Sequence, residues 1–147
     1  MSLNKLKTFL QQFFEQHGMI NSVYYMNDFD FSAQRNIVYP CVNIEYVNTS
    51  MSKKTFDHSF KIIIADLCQP DNNEHQDNIH SDSLQVAEDF FTYLQNFDGT
   101  TEFNFDLKRT STLNPFIDDK GDRCAGIVFT LSLAINRPMN WCNTPTK

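Results

Sequence analysis

The sequence predicts an α+β fold, a two-layer sandwich in which two helices cover one face of a four-stranded, mostly antiparallel sheet. Two apolar stripes with helical spacing and four stretches of alternating apolar and polar residues support this prediction, in the order α-β-β-α-β-β. The chain has 147 residues, a length typical of one domain. We therefore expect a single α+β domain over residues 1–136 and an extended C-terminal tail over residues 137–147.

The first helix is predicted over residues 2–17, where apolar residues recur at steps of three and four. These residues are Leu3, Leu6, Leu10, Phe13 and Phe14. Ser2 is a suitable N-cap, and Gly18 is suitable for ending the helix. Residues 19–36 are rich in aromatic side chains but show no clear period, so we expect an ordered crossing segment with at most one short strand.

The first two strands are predicted to form a long hairpin. Around residues 39–46, an apolar residue stands at every second position, which gives the strand one apolar face. These residues are Val42, Ile44 and Tyr46. The polar segment 48–54, with Lys53 and Lys54 near its tip, leads to a second strand at residues 55–67. The apolar face of that strand also carries His58, which we interpret as a satisfied core or edge imidazole.

The second helix, predicted over residues 81–97, is the centre of the expected fold. Its stripe consists of Leu84, Ala87, Phe91 and Leu94, widened by Phe90 and Phe97. We expect these aromatic side chains to pack on the apolar faces of the second and fourth strands. Ser81 or Asp82 can cap its start, and Gly99 can end it. The acidic, amide-rich stretch 69–78 before it is predicted to be a loop.

The last two strands are predicted near residues 103–107 and over residues 123–136. Residues 114–122, which contain Pro115, are interpreted as a connector. The second sheet face is expected to be mixed, small and polar. It carries a modest apolar strip that would suit the surface of a neighbouring copy, formed by Ile63, Ala65, Val128 and Ala134.

Composition limits the classes of function. The net charge of −6 argues against a general nucleic-acid binder, which needs a basic face. The four cysteines include no CxxC pair, and we expect free thiols in a reducing cytoplasm, most of them buried as small apolar residues. The N-terminal residues do not resemble a signal peptide, and no apolar run is long enough to cross a membrane.

Few residues suggest chemistry. His75 and His80 lie among several acidic residues within residues 71–82, a group that could hold a divalent cation, although a solvated acidic loop is favoured. The acidic residues are Asp71, Glu74, Asp77 and Asp82. The sequence lacks a glycine-rich phosphate loop and a GxSxG nucleophile motif. We therefore predict no catalytic residues, no cofactor and no metal site.

Several stretches taken in order resemble small virion proteins of tailed phages: tail-terminator, tail-completion and neck-ring proteins, most closely those of crAss-like phages. The stretches are YPCVNIEY (39–46), SFKIIIADLC (59–68), HSDSLQVAEDFFTYLQNF (80–97), PFIDDKGDRCAGIVFTLSLAI (115–135) and PMNWCNTP (138–145). The resemblance covers roughly residues 37–145. A shorter polar hairpin and an unusually aromatic segment at residues 19–31 depart from it and leave open whether the subunit sits at the portal neck or the tail end.

The resemblance implies a non-catalytic subunit of a closed ring, in 6 or 12 copies, made in the cytoplasm of the bacterial host and located in the virion neck or tail. Its partners would be other copies of itself and the portal, neck or tail proteins, and genome DNA could pass through the lumen without specific binding. Candidate interface residues are Lys53, Lys54, Met139 and Trp141. Two alternatives stay open: a small, dimeric cytoplasmic adaptor or assembly chaperone, and a metal-dependent enzyme at residues 71–82.

Overall fold

The computed structural model describes residues 2–27, 30–31, 36–69, 72–97, 105–107, 112–118, 123–137 and 145–146. The fold is α+β, as predicted. Its elements are α1 (Leu3–Gln16), β1 (Ser22–Tyr24), β2 (Cys41–Met51), β3 (Thr55–Leu67), α2 (Asn73–Phe97), β4 (Phe105–Leu107), β5 (Asn114–Asp118) and β6 (Cys124–Asn136). Helix α1 begins at the predicted cap, because the Ser2 hydroxyl accepts a hydrogen bond from the Lys5 N–H at 3.2 Å. Among the helices described, none has the length and apolar composition to span a lipid bilayer.

The sheet contains more strands than the sequence predicted. Its strands lie in the order β1-β2-β3-β6, and the next position is shared by β4 and β5, which pair with different parts of β6. Strand β1 is parallel to β2, whereas the other neighbouring pairs are antiparallel. The prediction of four strands in the order α-β-β-α-β-β is therefore wrong, because the short strands β1 and β5 are also present.

Strand β5 corrects the interpretation of residues 114–122 as a connector. Residues 114–118 pair with β6, and Pro115 lies opposite Ile127. A proline has no N–H to donate, but it is tolerated in a strand at the outer side of a sheet, where its nitrogen points away from the partner strand. Pro115 therefore marks an outer strand.

Helix α2 begins earlier than predicted. It starts at Asn73, and the Asn72 side-chain oxygen accepts a hydrogen bond from the His75 N–H at 3.0 Å, so Asn72 caps the helix. The predicted caps Ser81 and Asp82 lie inside it, and much of the predicted acidic loop is helical. The first turns carry polar side chains almost all round, so they show no apolar stripe to signal a helix.

The main core lies between the helices and one face of the sheet. The buried residues of α2 are Ile79, Ser83, Val86, Ala87, Phe90 and Leu94. Phe90 is completely buried and packs against Phe14 of α1 in a tilted arrangement, with ring centres 4.6 Å apart. Two residues of the predicted stripe are less buried, since Leu84 is exposed and Phe91 only partly buried. The buried face is thus rotated from the predicted one.

A second, smaller core covers part of the other face of the sheet. Its buried members are Phe31, Cys41, Ile63, Ala65 and Cys124, with Tyr24, Met26, Ile37, Tyr39, Phe116 and Val128 packed around them. The apolar strip that we expected to meet another copy is therefore largely covered by the chain itself. The strip was expected to be exposed, which is wrong because Met26, Phe31, Ile37 and Tyr39 pack on this face.

Candidate functional site

The longest unpaired strand edge in the described part of the chain is the outer side of β2. Strand β1 pairs with residues Cys41–Asn43 only, so residues 44–51 have a partner on the β3 side alone. Three large apolar side chains on this stretch are exposed: Tyr46, Val47 and Met51. An exposed strand edge offers unpaired N–H and C=O groups to another chain.

Asn43 explains why β1 stops. Its side-chain amide accepts a hydrogen bond from the Met26 N–H at 2.9 Å and donates one to the Met26 C=O at 2.8 Å. Met26 thus bonds to a side chain instead of the next backbone groups of β2. The chain turns at this point onto the second face of the sheet, where Met26 packs in the smaller core. No other described strand pairs with the rest of this β2 edge.

A β-bulge and a hydrogen-bonded chain shape this edge. The register shifts between Tyr46 and Asn48, which makes Val47 the extra residue. The Tyr46 hydroxyl bonds to the Thr49 hydroxyl, which lies 2.7 Å from Nδ1 of His58. Tyr46 and Thr49 bracket the bulge, so this chain of hydrogen bonds holds its shape.

His58 supports the bulge through its hydrogen bond to Thr49 and its ring contacts. Burial lowers the pKa of the imidazole, although nearby Asp57 opposes the shift, so the ring is neutral at pH 7. The ring lies against Phe56, with centres 5.9 Å apart, and against Tyr46. A threonine beside a histidine can act as a nucleophile and base. This imidazole, however, is only 7% exposed and is packed as a core side chain. We interpret the pair as structural.

A cleft lies beside the open edge. It is lined by Lys7, Tyr25, Met26, Asn27, Ile44, Glu45, Tyr46 and Phe60. The Lys7 ammonium is 5.1 Å from the centre of the Tyr46 ring, and the Tyr25 hydroxyl donates a hydrogen bond to the Lys7 C=O at 3.0 Å. Burial, with a smaller contribution from Glu15, raises the pKa of Tyr25 to about 12, so the phenol stays protonated. The cleft therefore combines apolar walls with the Lys7 ammonium and the Glu45 carboxylate.

Lys53 and Lys54 lie at the hairpin tip, as predicted, and both are exposed. The end of β6 is fixed beside them, since the Arg137 N–H donates to the Lys54 C=O at 2.8 Å and the guanidinium donates to the Ser52 C=O at 2.8 Å. The chain therefore leaves the sheet next to this tip. The other two predicted interface residues, Met139 and Trp141, lie outside the described residues.

The histidines of the acidic region do not meet in one site. His75 Nδ1 accepts a hydrogen bond from the Gln69 N–H at 3.0 Å, whereas His80 Nε2 lies 3.2 Å from the Phe116 C=O of β5. Within the described residues, no group of three potential metal-ligating side chains is close enough to hold an ion. Asp71 lies outside those residues.

His17 joins the two helices. Its Nε2 lies 2.9 Å from a carboxylate oxygen of Asp89, and its Nδ1 accepts a hydrogen bond from the Met19 N–H at 3.2 Å. The bonds from His17 and Gln85 lower the pKa of Asp89. Both ring nitrogens are therefore engaged, and the pair connects the end of α1 to α2.

The cysteines Cys41, Cys68 and Cys124 are buried free thiols, as expected; Cys142 lies outside the described residues. Burial raises the pKa of Cys41 to about 12, with smaller contributions from Cys124 and Asp66. The thiol therefore stays protonated and is a poor nucleophile.

No protein-family description and no curated protein sequence matches this chain. Its function must therefore be inferred from its own surface, of which the open β2 edge is the most distinctive part. Sequence reasoning missed this edge because it placed the end of the strand near Tyr46. The sequence did contain a signal for the open edge. Residues 19–36 include no alternating run long enough to pair along the whole of a strand that reaches Met51.

Proposed function

We propose that the protein is a non-catalytic, ring-forming structural subunit of a phage virion, located in the neck or head-to-tail connector or at the tail end as a terminator. The open edge of β2 is the observation that carries this proposal. Between Tyr46 and Ser52 the strand has no charged residue, and its large apolar side chains are exposed. Natural proteins often protect edge strands with charges, prolines or bulges. This edge has a bulge at Val47 but no charge and no proline between Tyr46 and Ser52, so its backbone groups can still pair with another chain.

A closed ring needs two different patches that meet on successive copies. Among the described strands, the two outer sides of the sheet differ: β1 and residues 44–51 of β2 lie on one side, and β4 with β5 on the other. Pro115 weakens the β5 edge for pairing, which leaves β4 as the better counterpart. The registers from β2 through β3 and β6 to β4 put Thr49 and Leu107 at the same height along the strands. Met51 and Phe105 likewise share one height. Rotation about an axis parallel to the strands would therefore bring the two edges together antiparallel at equal height.

The proposed partners are other copies of the chain, in a ring of 6 or 12, and the portal, neck or tail proteins above and below it. The hairpin tip with Lys53 and Lys54 lies at one end of the strands, next to Arg137, which follows the last residue of β6. This end suits axial contacts, for which Met139 and Trp141 are the sequence candidates. Genome DNA could pass through the lumen without specific contacts.

A dimeric adaptor or assembly chaperone is the second candidate, and the observation that favours it is the same open stretch of β2, for which a pairing between two copies is proposed below. The metal-dependent alternative gains no support from the separate hydrogen bonds of His75 and His80.

Val47→Asp should prevent incorporation into particles while leaving the subunit folded. Val47 is 48% exposed on the proposed interface, so an aspartate there meets water in the free protein but a desolvated contact in the ring. We expect incorporation to fall at least about tenfold, the effect of roughly 1.4 kcal/mol per contact. The measurement is immunoblotting of purified particles after complementation with the variant.

Leu84→Asp is the matched control, because Leu84 is 46% exposed on helix α2, away from the edge. It should be incorporated like the wild type. Normal incorporation of Val47→Asp would show that the β2 edge is not the ring contact.

A further inference from the structure

We infer that two free copies of the protein pair through their open β2 edges, antiparallel, with Met51 of each copy entering the cleft of the other. This inference concerns the protein before assembly and does not depend on the virion role. The interface would be isologous, with the same residues contributed by both copies around a two-fold axis perpendicular to the sheet. Such an axis keeps the helix-covered faces of both sheets on one side.

The positions of the side chains select one register. Ile44, Tyr46, Thr49 and Met51 lie on the helix-covered face of the sheet, because their partners across β3 are Ile62, Phe60, His58 and Phe56. Pairing Ile44 with Met51 of the second copy places Tyr46 opposite Thr49 and uses the whole open stretch. Every pair then joins residues of the same face, and the bulges of the two copies lie side by side. A shift by one residue would join opposite faces, which the pleat of a sheet does not allow.

The charges are compatible with this register. Glu45 is the one charged residue between Ile44 and Ser52, and it would lie opposite Ser50 of the second copy. No like charges face each other directly, which would be destabilising in a cross-strand pair. Lys53 and Lys54 lie beyond the paired stretch.

The cleft accounts for the fit of Met51. This side chain is 65% exposed, the most exposed of the large apolar residues described. In the proposed register it stands opposite Ile44, one of the residues that line the cleft, beside Tyr46 and Phe60. A flexible thioether fills irregular apolar spaces well. Each copy thus provides both the inserted side chain and the site that receives it.

The pairing would protect the edge until it is needed. A free edge with exposed apolar residues invites uncontrolled sheet extension. A dimer of one strand pair and two inserted methionines buries an area near or below the lower end of specific interfaces, ~1,200 Å². We expect a dissociation constant of roughly 1–100 µM. A dimer contact of this strength is weak enough to dissociate when another partner binds the same β2 edge.

Cysteine cross-linking tests the register. In Glu45→Cys/Ser50→Cys, prepared with Cys142→Ser, oxidation should link two copies, because the two positions face each other across the axis. Within one copy they are ~16 Å apart at about 3.3 Å per residue, too far for a disulfide. Each single variant places its two cysteines at a similar distance across the axis, so neither should cross-link, whereas a mixture of the two should. Equal cross-linking of the double and single variants would overturn the register.

Sedimentation equilibrium of the wild-type protein from 1 to 200 µM tests the dimer itself, with a mass approaching twice 17.1 kDa expected at the upper concentrations. Met51→Lys should weaken dimerisation at least tenfold, because a lysine ammonium would lose its water on entering a cleft with largely apolar walls. Met19→Lys, at a residue 39% exposed away from the edge, should dimerise like the wild type. A wild-type monomer at 200 µM would overturn the inference without affecting the ring proposal, which is judged on particles.

Discussion

Replacing Phe90 with alanine should lower the free energy of unfolding by about 3–5 kcal/mol, the usual cost of truncating a buried phenylalanine. Phe90 is completely buried between the helices and the sheet. Its ring centre is 4.6 Å from that of Phe14 and 6.3 Å from that of Phe129, so it joins α1, α2 and β6. Removal of the ring would leave a cavity that these three elements cannot all close. Urea denaturation followed by circular dichroism measures the effect.

Phe91→Ala provides the matched comparison on the same helix. Phe91 is only partly buried, although its ring centre is 5.3 Å from that of Phe129. The loss should therefore be about half as large, on the order of 1.5–2.5 kcal/mol, because part of the side chain already contacts water. A larger loss for Phe91 than for Phe90 would mean that the buried face of α2 is assigned wrongly.

Replacing Gly126 with alanine should also destabilise the protein strongly, by about 3 kcal/mol or more, at or above the usual range for overpacking. A Cβ atom at this position would lie 2.9 Å from the Ala65 Cα and would overlap the Ile64 carbonyl group. The obstacles are backbone atoms of the neighbouring strand, which no side-chain rotation can move. The change would force β3 and β6 apart at the centre of the sheet, and thermal unfolding would report the loss.

Gly18→Ala is the control for this substitution. A Cβ atom on Gly18 would have no neighbour within 4 Å, so we expect a change of less than about 0.5 kcal/mol, typical of an exposed site. If Gly126→Ala were equally well tolerated, the close approach of β3 and β6 would be refuted.

The long elements could be predicted because their periodicity is strong. The sequence pattern located β3 at residues 55–67, and that strand spans Thr55–Leu67. At most one short strand was expected within residues 19–36, and β1 lies there, but its position could not be predicted because three residues are too few to show an alternation. Strand β5 was hidden by Pro115, which locally argues against a strand and becomes acceptable only at the outer side of the sheet. For both β1 and β5, the position in the folded sheet and not the local sequence determined that the residues form a strand.

The candidate site was predicted less well than the fold. Lys53 and Lys54 were placed correctly at the hairpin tip, but the expected apolar strip on the second face is mostly covered. Pattern reasoning assigns residues to a face but does not show which distant segment covers it. The Asn43 amide bonds that redirect the chain at Met26 depend on contacts between residues far apart in sequence. The open edge of β2 is a consequence of those contacts.

The number of copies of this chain in each purified virus particle tests the proposed role most directly. Quantitative mass spectrometry against the major capsid protein gives that number, and particle reconstruction shows where the copies lie. We predict 6 or 12 copies in a single ring at the neck or the tail end. Absence from purified particles, together with abundance in the infected cells, would contradict the virion role and favour the assembly chaperone.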